Sequence, residues 1–169
     1  MSASVQSILE SRFGFPSLRP LQQRIIDRVM SGKDALVVMP TGSGKSLCYQ
    51  LPALALPGRD GAGPGVALIF SPLIAPMEDQ VAALRKKGIR AQYINSTLSR
   101  TERDRRYQQL GQGEFELIYA TPERMEKPPF VEALGCVPGG VKLLAVDEAH
   151  CISKWGHDLR PAYQRVGEF

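Results

Sequence analysis

The sequence lacks the features that mark secreted and membrane-spanning proteins. Nowhere in its 169 residues is there an apolar run near the roughly 20 residues that a membrane-spanning helix needs. The first residues, MSASVQSILESRFGF, contain no basic stretch followed by an apolar run and a small-residue cleavage site, so no secretory signal is predicted. We therefore expect an intracellular protein with no membrane partner, located in the cytoplasm or nucleoid of a bacterium or in the nucleus of a eukaryote.

Cysteine is scarce as well. Cys48, Cys136 and Cys151 are an odd number at long spacings with no C-x-x-C pair, which argues against a disulfide framework and against a zinc site. Together with His150 and His157, Cys151 would still leave a structural zinc ion one ligand short. We expect reduced, mostly buried thiols.

Net charge is low, at +4, but it is unevenly distributed. Residues 85–106 hold eight Lys or Arg against Glu102 and Asp104, so this stretch carries 8 − 2 = +6 and the remainder is slightly acidic. A basic stretch suits a phosphate backbone, although it is more often a solvated helix face. Charge alone therefore does not identify a nucleic-acid partner.

Short apolar runs alternate with longer segments of helical spacing, which is the rhythm of βαβ units. The runs are Ala35 to Met39, Val66 to Phe70, Ala91 to Ile94, Glu116 to Ala120 and Lys142 to Val146. Because several are apolar at nearly every position, they are typical of strands covered on both faces. We predict one α/β domain over 1–169, a mostly parallel sheet with helices on both faces, and a surface loop at Pro57 to Gly65.

A glycine-rich loop follows the first predicted strand. The sequence PTGSGKS at 40–46 lies between ALVVM and the helix-like LCYQLPAL, which is the strand, loop and helix order of a P-loop. Gly42 and Gly44 permit backbone angles and a close approach that a side chain would block, so that amide N–H groups can cradle a phosphate. The alternative is a flexible turn.

The other loop residues have the chemistry of nucleotide binding. Thr41 and Ser43 lie in the cradle, Lys45 adds a positive charge at the β- and γ-phosphates, and the Ser46 hydroxyl is a ligand for Mg²⁺. The first glycine of the usual pattern is replaced by Met39. We predict a P-loop that binds ATP.

An acidic pair, Asp147 and Glu148, comes directly after the last predicted strand, at the edge where α/β sheets bind ligands. Asp147 would hold Mg²⁺, and Glu148 would orient or deprotonate the water that attacks the γ-phosphate. Such a pair alone is usually a solvated strand end. An apolar strand before it and a P-loop upstream favour the catalytic interpretation.

Four further segments, read together with the P-loop and the sequence DEAH at 147–150, resemble RecQ-type DNA helicases of superfamily 2. The first, FGFPSLRPLQ at 13–22, is similar to the family's adenine-recognition motif. Gln22 can bond the adenine N6/N7 edge, and Phe15 and Arg19 offer planar groups that could sandwich the base. The alternative is a helix-entry motif around Pro20.

Two segments are similar to the family's single-strand-binding motifs Ia and Ib. They are SPLI at 71–74 continuing through Gln80, and TPER at 121–124. In each, a backbone N–H or a hydroxyl, at Ser71 and at Thr121, could contact a DNA phosphate. Taken singly, either segment would be an ordinary helix cap.

The fourth segment, from Cys151 to Tyr163, resembles the aromatic-rich loop by which the family couples DNA binding to ATP hydrolysis. The resemblance implies DNA contact or coupling at Trp155, His157 and Arg160, with Trp155 stacking on an unpaired base and Arg160 contacting a phosphate. A lone Trp is more often a core or interface residue. Leu159 stands where many relatives carry a second aromatic, so weaker stacking on the base is expected here.

The resemblance implies the first RecA-like half of a motor that couples ATP hydrolysis to 3′-to-5′ unwinding of duplex DNA, with roles in DNA repair and recombination. ATP, Mg²⁺, single-stranded and duplex DNA are then the expected cofactors and partners. A second RecA-like domain with an arginine finger, and zinc-binding and winged-helix regions, are expected to belong to a larger protein, so weak activity is expected here. A stand-alone ATP- and DNA-binding module, or an RNA helicase fragment, are the alternatives.

Overall fold

The structure, a computed structural model, describes residues 5–40 and 42–149. Four predicted site residues lie outside the described residues, namely Thr41, Trp155, His157 and Arg160, and so does the aromatic-rich loop as a whole. The chain divides into two units, Met1–Pro57 and Gly58–Phe169. No helix of the described part is long and apolar enough to cross a membrane.

The first unit is helical in its described residues. Its elements are α1 (Val5–Ile8), which continues as a π-helical segment (Leu9–Phe13), α2 (Pro20–Met30) and α3 (Leu47–Ala55). Helix α3 packs against both α1 and α2. The buried side chains at these contacts include Leu9, Ile26 and Leu51, each with no exposed surface, so apolar burial holds the three helices together.

Helix α2 begins at a proline for a physical reason. Pro20 occupies the first helical position, where its missing N–H removes no helical hydrogen bond. Arg19 before it is extended, and its N–H donates to the Gln22 side-chain oxygen at 2.9 Å. The interpretation of this segment as a helix entry is therefore confirmed, and Gln22 takes part in it.

The prediction of a first strand at Ala35 to Met39 is wrong. The described backbone there forms no strand, and the side chains of Leu36 and Val38 are 90% and 88% exposed. A strand is stable only when its N–H and C=O groups pair with a neighbour, and no second strand occurs in the described residues of Met1–Pro57. The apolar residues Ala35 to Met39 therefore form no strand, because the described residues of this unit offer no neighbouring strand for their backbone hydrogen bonds.

The second unit contains a parallel four-stranded sheet. Its strands are β1 (Val66–Phe70), β2 (Ala91–Ile94), β3 (Leu117–Ala120) and β4 (Val141–Val146), in the order β2-β3-β1-β4. All three pairings are parallel. The four corresponding strand predictions are confirmed to within one residue at each end, and so is the α/β class.

Three helices connect the strands. These are α4 (Ile74–Lys86), α5 (Arg100–Gly111) and α6 (Pro128–Gly135), with a 3₁₀ segment (Pro122–Glu126) before α6. Right-handed crossovers in this strand order carry α5 and α6 to one face of the sheet and α4 to the other. The core agrees, because Leu68 and Phe70 of β1 share one buried cluster with Leu110 of α5 and Phe130 of α6, and this cluster contains no α4 residue.

The predicted surface loop before β1 is confirmed, with a short 3₁₀ turn at Arg59–Gly61. The loop is anchored to the turn that precedes β4. The N–H of Arg59 donates to Gly139 O at 2.7 Å, and that of Gly65 donates to Pro138 O at 3.0 Å. These two hydrogen bonds thus help to hold the starts of β1 and β4 side by side.

Candidate functional site

The glycine loop has the backbone conformation that its sequence predicts. Gly42 and Gly44 have φ values of +76° and +85°, a left-handed region that residues with a Cβ rarely adopt. Helix α3 begins at Leu47, directly after the loop, and Ser46 precedes it without a side-chain capping bond. The loop therefore leads into a helix N-terminus, the positive end of the helix dipole.

Three successive backbone N–H groups at this helix start have no hydrogen-bond acceptor in the part of the chain that the structure describes. Within the described residues, no acceptor takes the N–H of Gly44, Lys45 or Ser46, whereas the N–H of Leu47 donates to Gly44 O at 3.2 Å. The half-buried Lys45 side chain likewise forms no ion pair with any described residue. Free N–H groups beside a free ammonium form a site for a phosphate-like anion.

Two residues of the predicted adenine motif contact this loop. Arg19 donates from Nη1 to Ser43 O at 3.1 Å, and Gln22 donates from Nε2 to Gly44 O at 3.2 Å. A Cβ at Gly44 would lie 2.5 Å from Gln22 Nε2, so a side chain there would displace the Gln22 amide from the loop. Gln22 is buried, whereas Phe15 is half exposed. Helix α2 is thus tied to the loop through Gln22.

The parallel sheet brings the other predicted residues to one edge. Ser71, Thr121 and Asp147 each follow a strand, and the carboxyl ends of parallel strands meet at the same edge. The N–H of Ser71 donates to Ala120 O at 3.0 Å, and that of Asp147 donates to Phe70 O at 2.8 Å. The sheet ladder thereby fixes the backbone of this edge.

Asp147 and Glu148 are held in a defined arrangement. Gln80 Nε2 donates to Asp147 Oδ2 at 3.3 Å, and the N–H of Glu148 donates to Asp147 Oδ1 at 2.9 Å. Glu148 has φ +51°, and among the described residues it is the one other than glycine with a left-handed backbone. Such a conformation costs about 1–3 kcal/mol and is concentrated at functional sites.

Sequence reasoning missed the role of Gln80. It placed this residue at the end of a DNA-contact motif, whereas its amide lies on the Asp147 carboxylate, 67 positions away in the chain. The side chains of Ser71 and Thr121, predicted to contact DNA, are only 2% and 8% exposed. At Ser71 the backbone N–H is also already bonded within the sheet.

The predicted Mg²⁺ ligands fit that ion in their chemistry. The Ser46 hydroxyl is not used for capping, and the oriented Asp147 carboxylate offers hard oxygens of the kind Mg²⁺ prefers. The described residues contain no cluster of three His, Cys, Asp or Glu.

The expectation of mostly buried thiols holds for one of the two described cysteines. Cys48 is buried, and burial raises the pKa of its thiol. Cys136 is exposed. Neither forms a disulfide with a described residue, and Cys151 lies outside the described part of the chain.

The fold defines an α/β domain of the helicase RecA-like class. A hypothetical ATP-dependent RNA helicase from Sulfolobus tokodaii matches 96% of this chain and 45% of its own chain, with a TM-score of 0.70 and 18% identity. The DUF1998 helicase MrfA bound to DNA and AMPPNP matches 88% of this chain and 21% of its own, with a TM-score of 0.69 and 22% identity. At these identities the likeness shows the fold alone.

The chain belongs to the DEAD/DEAH box helicase family, whose match covers residues 19–168. It is 43% identical over 160 residues to the ATP-dependent DNA helicase RecQ of Pasteurella multocida, covering 95% of this chain and 24% of that protein. The ATP-dependent DNA helicase RecQ of Bacillus subtilis is 44% identical over 162 residues, covering 95% and 26%. The resemblance to RecQ helicases is confirmed, and the chain spans about a quarter of the length of these relatives.

Proposed function

We propose that this chain is the ATP-binding motor domain of a RecQ-like helicase that couples ATP hydrolysis to 3′-to-5′ unwinding of duplex DNA. The observation that carries the proposal is the glycine loop at the start of α3, where no described residue accepts from the N–H of Gly44, Lys45 or Ser46 and none forms an ion pair with Lys45. The family match supports the choice of a helicase over other P-loop proteins. Its partners are single-stranded and duplex DNA.

In the proposed mechanism, the loop N–H groups and Lys45 bind the β- and γ-phosphates and stabilise the charge that develops during phosphoryl transfer. Ser46 and Asp147 would hold Mg²⁺, which when bound neutralises phosphate charge. Glu148 accepts the proton of the attacking water. The hydrogen-bonded Asp147 carboxylate and the left-handed Glu148 backbone support separate roles for these two side chains.

Recognition of the base belongs to Phe15, Arg19 and Gln22. Gln22 has a buried amide that already bonds Gly44 O and the Arg19 N–H. To read adenine, this amide must exchange at least one of these bonds for the base, while the exposed Phe15 ring covers a face of it. Base recognition and loop conformation are then linked through one side chain.

Contact with DNA and its coupling to hydrolysis are proposed for Ser71, Thr121, Trp155, His157 and Arg160. A second RecA-like domain, which supplies an arginine finger, completes the motor. Because an arginine finger is worth about 10³ to 10⁵ in rate, this chain alone should hydrolyse ATP slowly.

Steady-state ATP hydrolysis with and without single-stranded DNA tests the proposal. A protein that joins this chain to a second RecA-like domain should show DNA-stimulated hydrolysis, which Lys45→Ala or Glu148→Gln abolishes. Retained DNA-stimulated hydrolysis or unwinding in either variant would contradict the assigned roles.

Two alternative functions would give different results in binding and hydrolysis measurements. A stand-alone binding module would show ATP-dependent affinity for single strands and no turnover, even with the second domain present. An RNA helicase would prefer RNA when DNA and RNA of identical sequence compete for it.

A further inference from the structure

Gln80 lies in the middle of α4, on the face of that helix that packs into the core. Met77, Val81 and Leu84 are the buried residues of this face. Gln80 follows Met77 by three positions and precedes Leu84 by four, so it belongs to the same face of the helix. The half-buried Gln80 is thus a polar residue within an apolar stripe. Its buried neighbours hold its backbone in place against the sheet.

The Gln80 amide reaches the carboxylate that follows β4. Its Nε2 donates to Asp147 Oδ2 at 3.3 Å, whereas Asp147 Oδ1 accepts from the N–H of Glu148 at 2.9 Å. The Asp147 N–H in turn donates to Phe70 O at 2.8 Å. The backbone of Asp147 and each oxygen of its carboxylate therefore have a different partner. An ionised carboxylate accepts at about four positions, so the bond from Gln80 does not by itself prevent Oδ2 from binding a metal ion or its water.

Helix α4 is also fastened at the opposite side of the sheet. Glu78 Oε1 accepts from Asn95 Nδ2 at 3.2 Å, and Asn95, which directly follows β2, has no exposed surface. Strands β2 and β4 are the outer strands of the sheet, so α4 has a side-chain bond at the carboxyl end of each. Glu78 and Gln80 are separated by about 200° around the helix, which suits partners on opposite sides. These two bonds fix α4 relative to Asp147.

A side chain that hydrogen-bonds to a metal ligand can change metal affinity without contacting the ion. Such partners orient the ligand, and their loss typically lowers metal affinity or activity about 10- to 100-fold. Gln80 has the position for this role, because it donates to the carboxylate that the proposed mechanism assigns to Mg²⁺. A neutral amide also orients the carboxylate without cancelling the negative charge that attracts a cation.

We propose that Gln80 is a positioning residue for nucleotide binding. By orienting the Asp147 carboxylate, it raises the affinity of the chain for the Mg²⁺ complex of ATP above that for metal-free ATP. Gln80 acts through Asp147 and not through the nucleotide itself. The inference deepens the proposed function and rests on it, because only the proposed function assigns Asp147 to Mg²⁺.

Binding of a fluorescent ATP analogue, measured with saturating Mg²⁺ and again with EDTA, tests this role. The ratio of the two affinities isolates the contribution of the ion. Gln80→Met keeps the length of the side chain but removes the amide, so it should lower the ratio by roughly 10-fold, toward 1, and leave the affinity in EDTA unchanged. Gln80→Asn, whose amide is one methylene too short to reach Asp147, should have the same effect. It keeps the test valid if Gln80→Met impairs folding.

Gln109→Met is the matched control. Gln109 is a half-buried glutamine of α5 in the same unit, and its Nε2 also donates to a carboxylate, Glu114 Oε2 at 2.9 Å. The variant therefore loses the same kind of bond, but one that does not involve Asp147. It should leave the affinity ratio unchanged.

An unchanged affinity ratio in both Gln80 variants would overturn the positioning role. An equal loss of affinity with Mg²⁺ and with EDTA would also overturn it, since that result indicates a purely structural residue, and so would a fall in the ratio for Gln109→Met as large as that for Gln80→Met.

Lys45→Ala separates this inference from the proposed function. Weaker nucleotide binding by Lys45→Ala, together with an unchanged ratio in the Gln80 variants, would reject the role of Gln80 and leave the nucleotide site standing. Equal nucleotide binding by Lys45→Ala and the unmodified chain would overturn the proposed function, and the role of Gln80 with it.

Discussion

Glu102 joins two arginines on α5. Its carboxylate accepts from Arg105 Nη2 and from Arg106 Nε, each at 2.8 Å. These hydrogen bonds lower the pKa of Glu102 from 4.5 to about 2. Arg106 is itself buried, donates to Tyr93 O at 2.6 Å and lies 4.5 Å from the Tyr93 ring centre. Glu102 thus stabilises a buried cation that fastens α5 to β2.

The depressed pKa makes a prediction about stability and pH. A group whose folded-state pKa is lowered stabilises the fold above its unfolded pKa and loses that contribution as pH falls through the folded pKa. The stabilisation from Glu102 should be complete above about pH 4.5 and disappear as pH falls toward about 2. Urea unfolding of the unmodified chain and of Glu102→Gln should show a difference at pH 7 that shrinks over this range.

Glu126→Gln is the matched control, because Glu126 is exposed and has no ion pair in the described part of the chain. It should change stability little at any pH. A Glu102→Gln difference that is constant from pH 7 to pH 2 would contradict the role of the ionised carboxylate.

The side-chain partners of the basic residues in 85–106 explain why the net charge of this stretch does not by itself indicate a binding surface. Its arginines include Arg90, which pairs with Glu116, and Arg106, which is buried against Tyr93. Arg103, the α5 arginine with no carboxylate partner among the described residues, instead lines a cleft together with Arg124 and Lys127. Local charge counting could not predict this regrouping, because it depends on which helix faces which loop.

At the scale of elements, the N-terminus of α5 depends on a single capping hydroxyl. Ser99 Oγ accepts from the N–H of Glu102 at 3.2 Å. Ser99→Ala should therefore lower the free energy of unfolding by about 1 kcal/mol. Ser96→Ala, at an exposed position of the same loop, should stay within about 0.5 kcal/mol of the unmodified chain. Equal losses in the two variants, measured by urea denaturation, would contradict the cap.

Elements differ in how far sequence could predict them. The strands at Val66–Phe70 and Leu117–Ala120 are buried at every residue, which is why their unbroken apolar runs predicted strands. Ala35 to Met39 has the same local pattern but no ladder in its unit, so pattern alone gave a wrong prediction. The glycine loop was predictable because φ above zero at Gly42 and Gly44 is a local requirement.

Long-range side-chain contacts could not be predicted in the same way. The bond from Gln80 to Asp147 and the bond from Gln22 to Gly44 join segments 67 and 22 residues apart. Both place an amide on a site residue, and neither leaves a periodic or motif signal of its own. Sequence motifs therefore indicated candidate site residues, whose roles are proposals, but they gave no signal for the side-chain bonds that connect these residues to the rest of the site.

At the scale of the whole molecule, the chain spans about a quarter of the length of the RecQ helicases it resembles. The family and the α/β fold are established, whereas coupling to DNA is a proposal about residues and domains that act together. Every step of that proposal depends on nucleotide binding by the glycine loop. The central claim is therefore the phosphate site at the start of α3.

Titration of the chain with a fluorescent ATP analogue and Mg²⁺ tests that claim most directly. Removing a charge-assisted contact worth about 1.5–3 kcal/mol should make Lys45→Ala bind roughly 10- to 100-fold more weakly than the unmodified chain. Lys33→Ala, an exposed lysine of the same unit outside the loop, should bind unchanged. Equal affinities of all three proteins for the nucleotide would contradict the account.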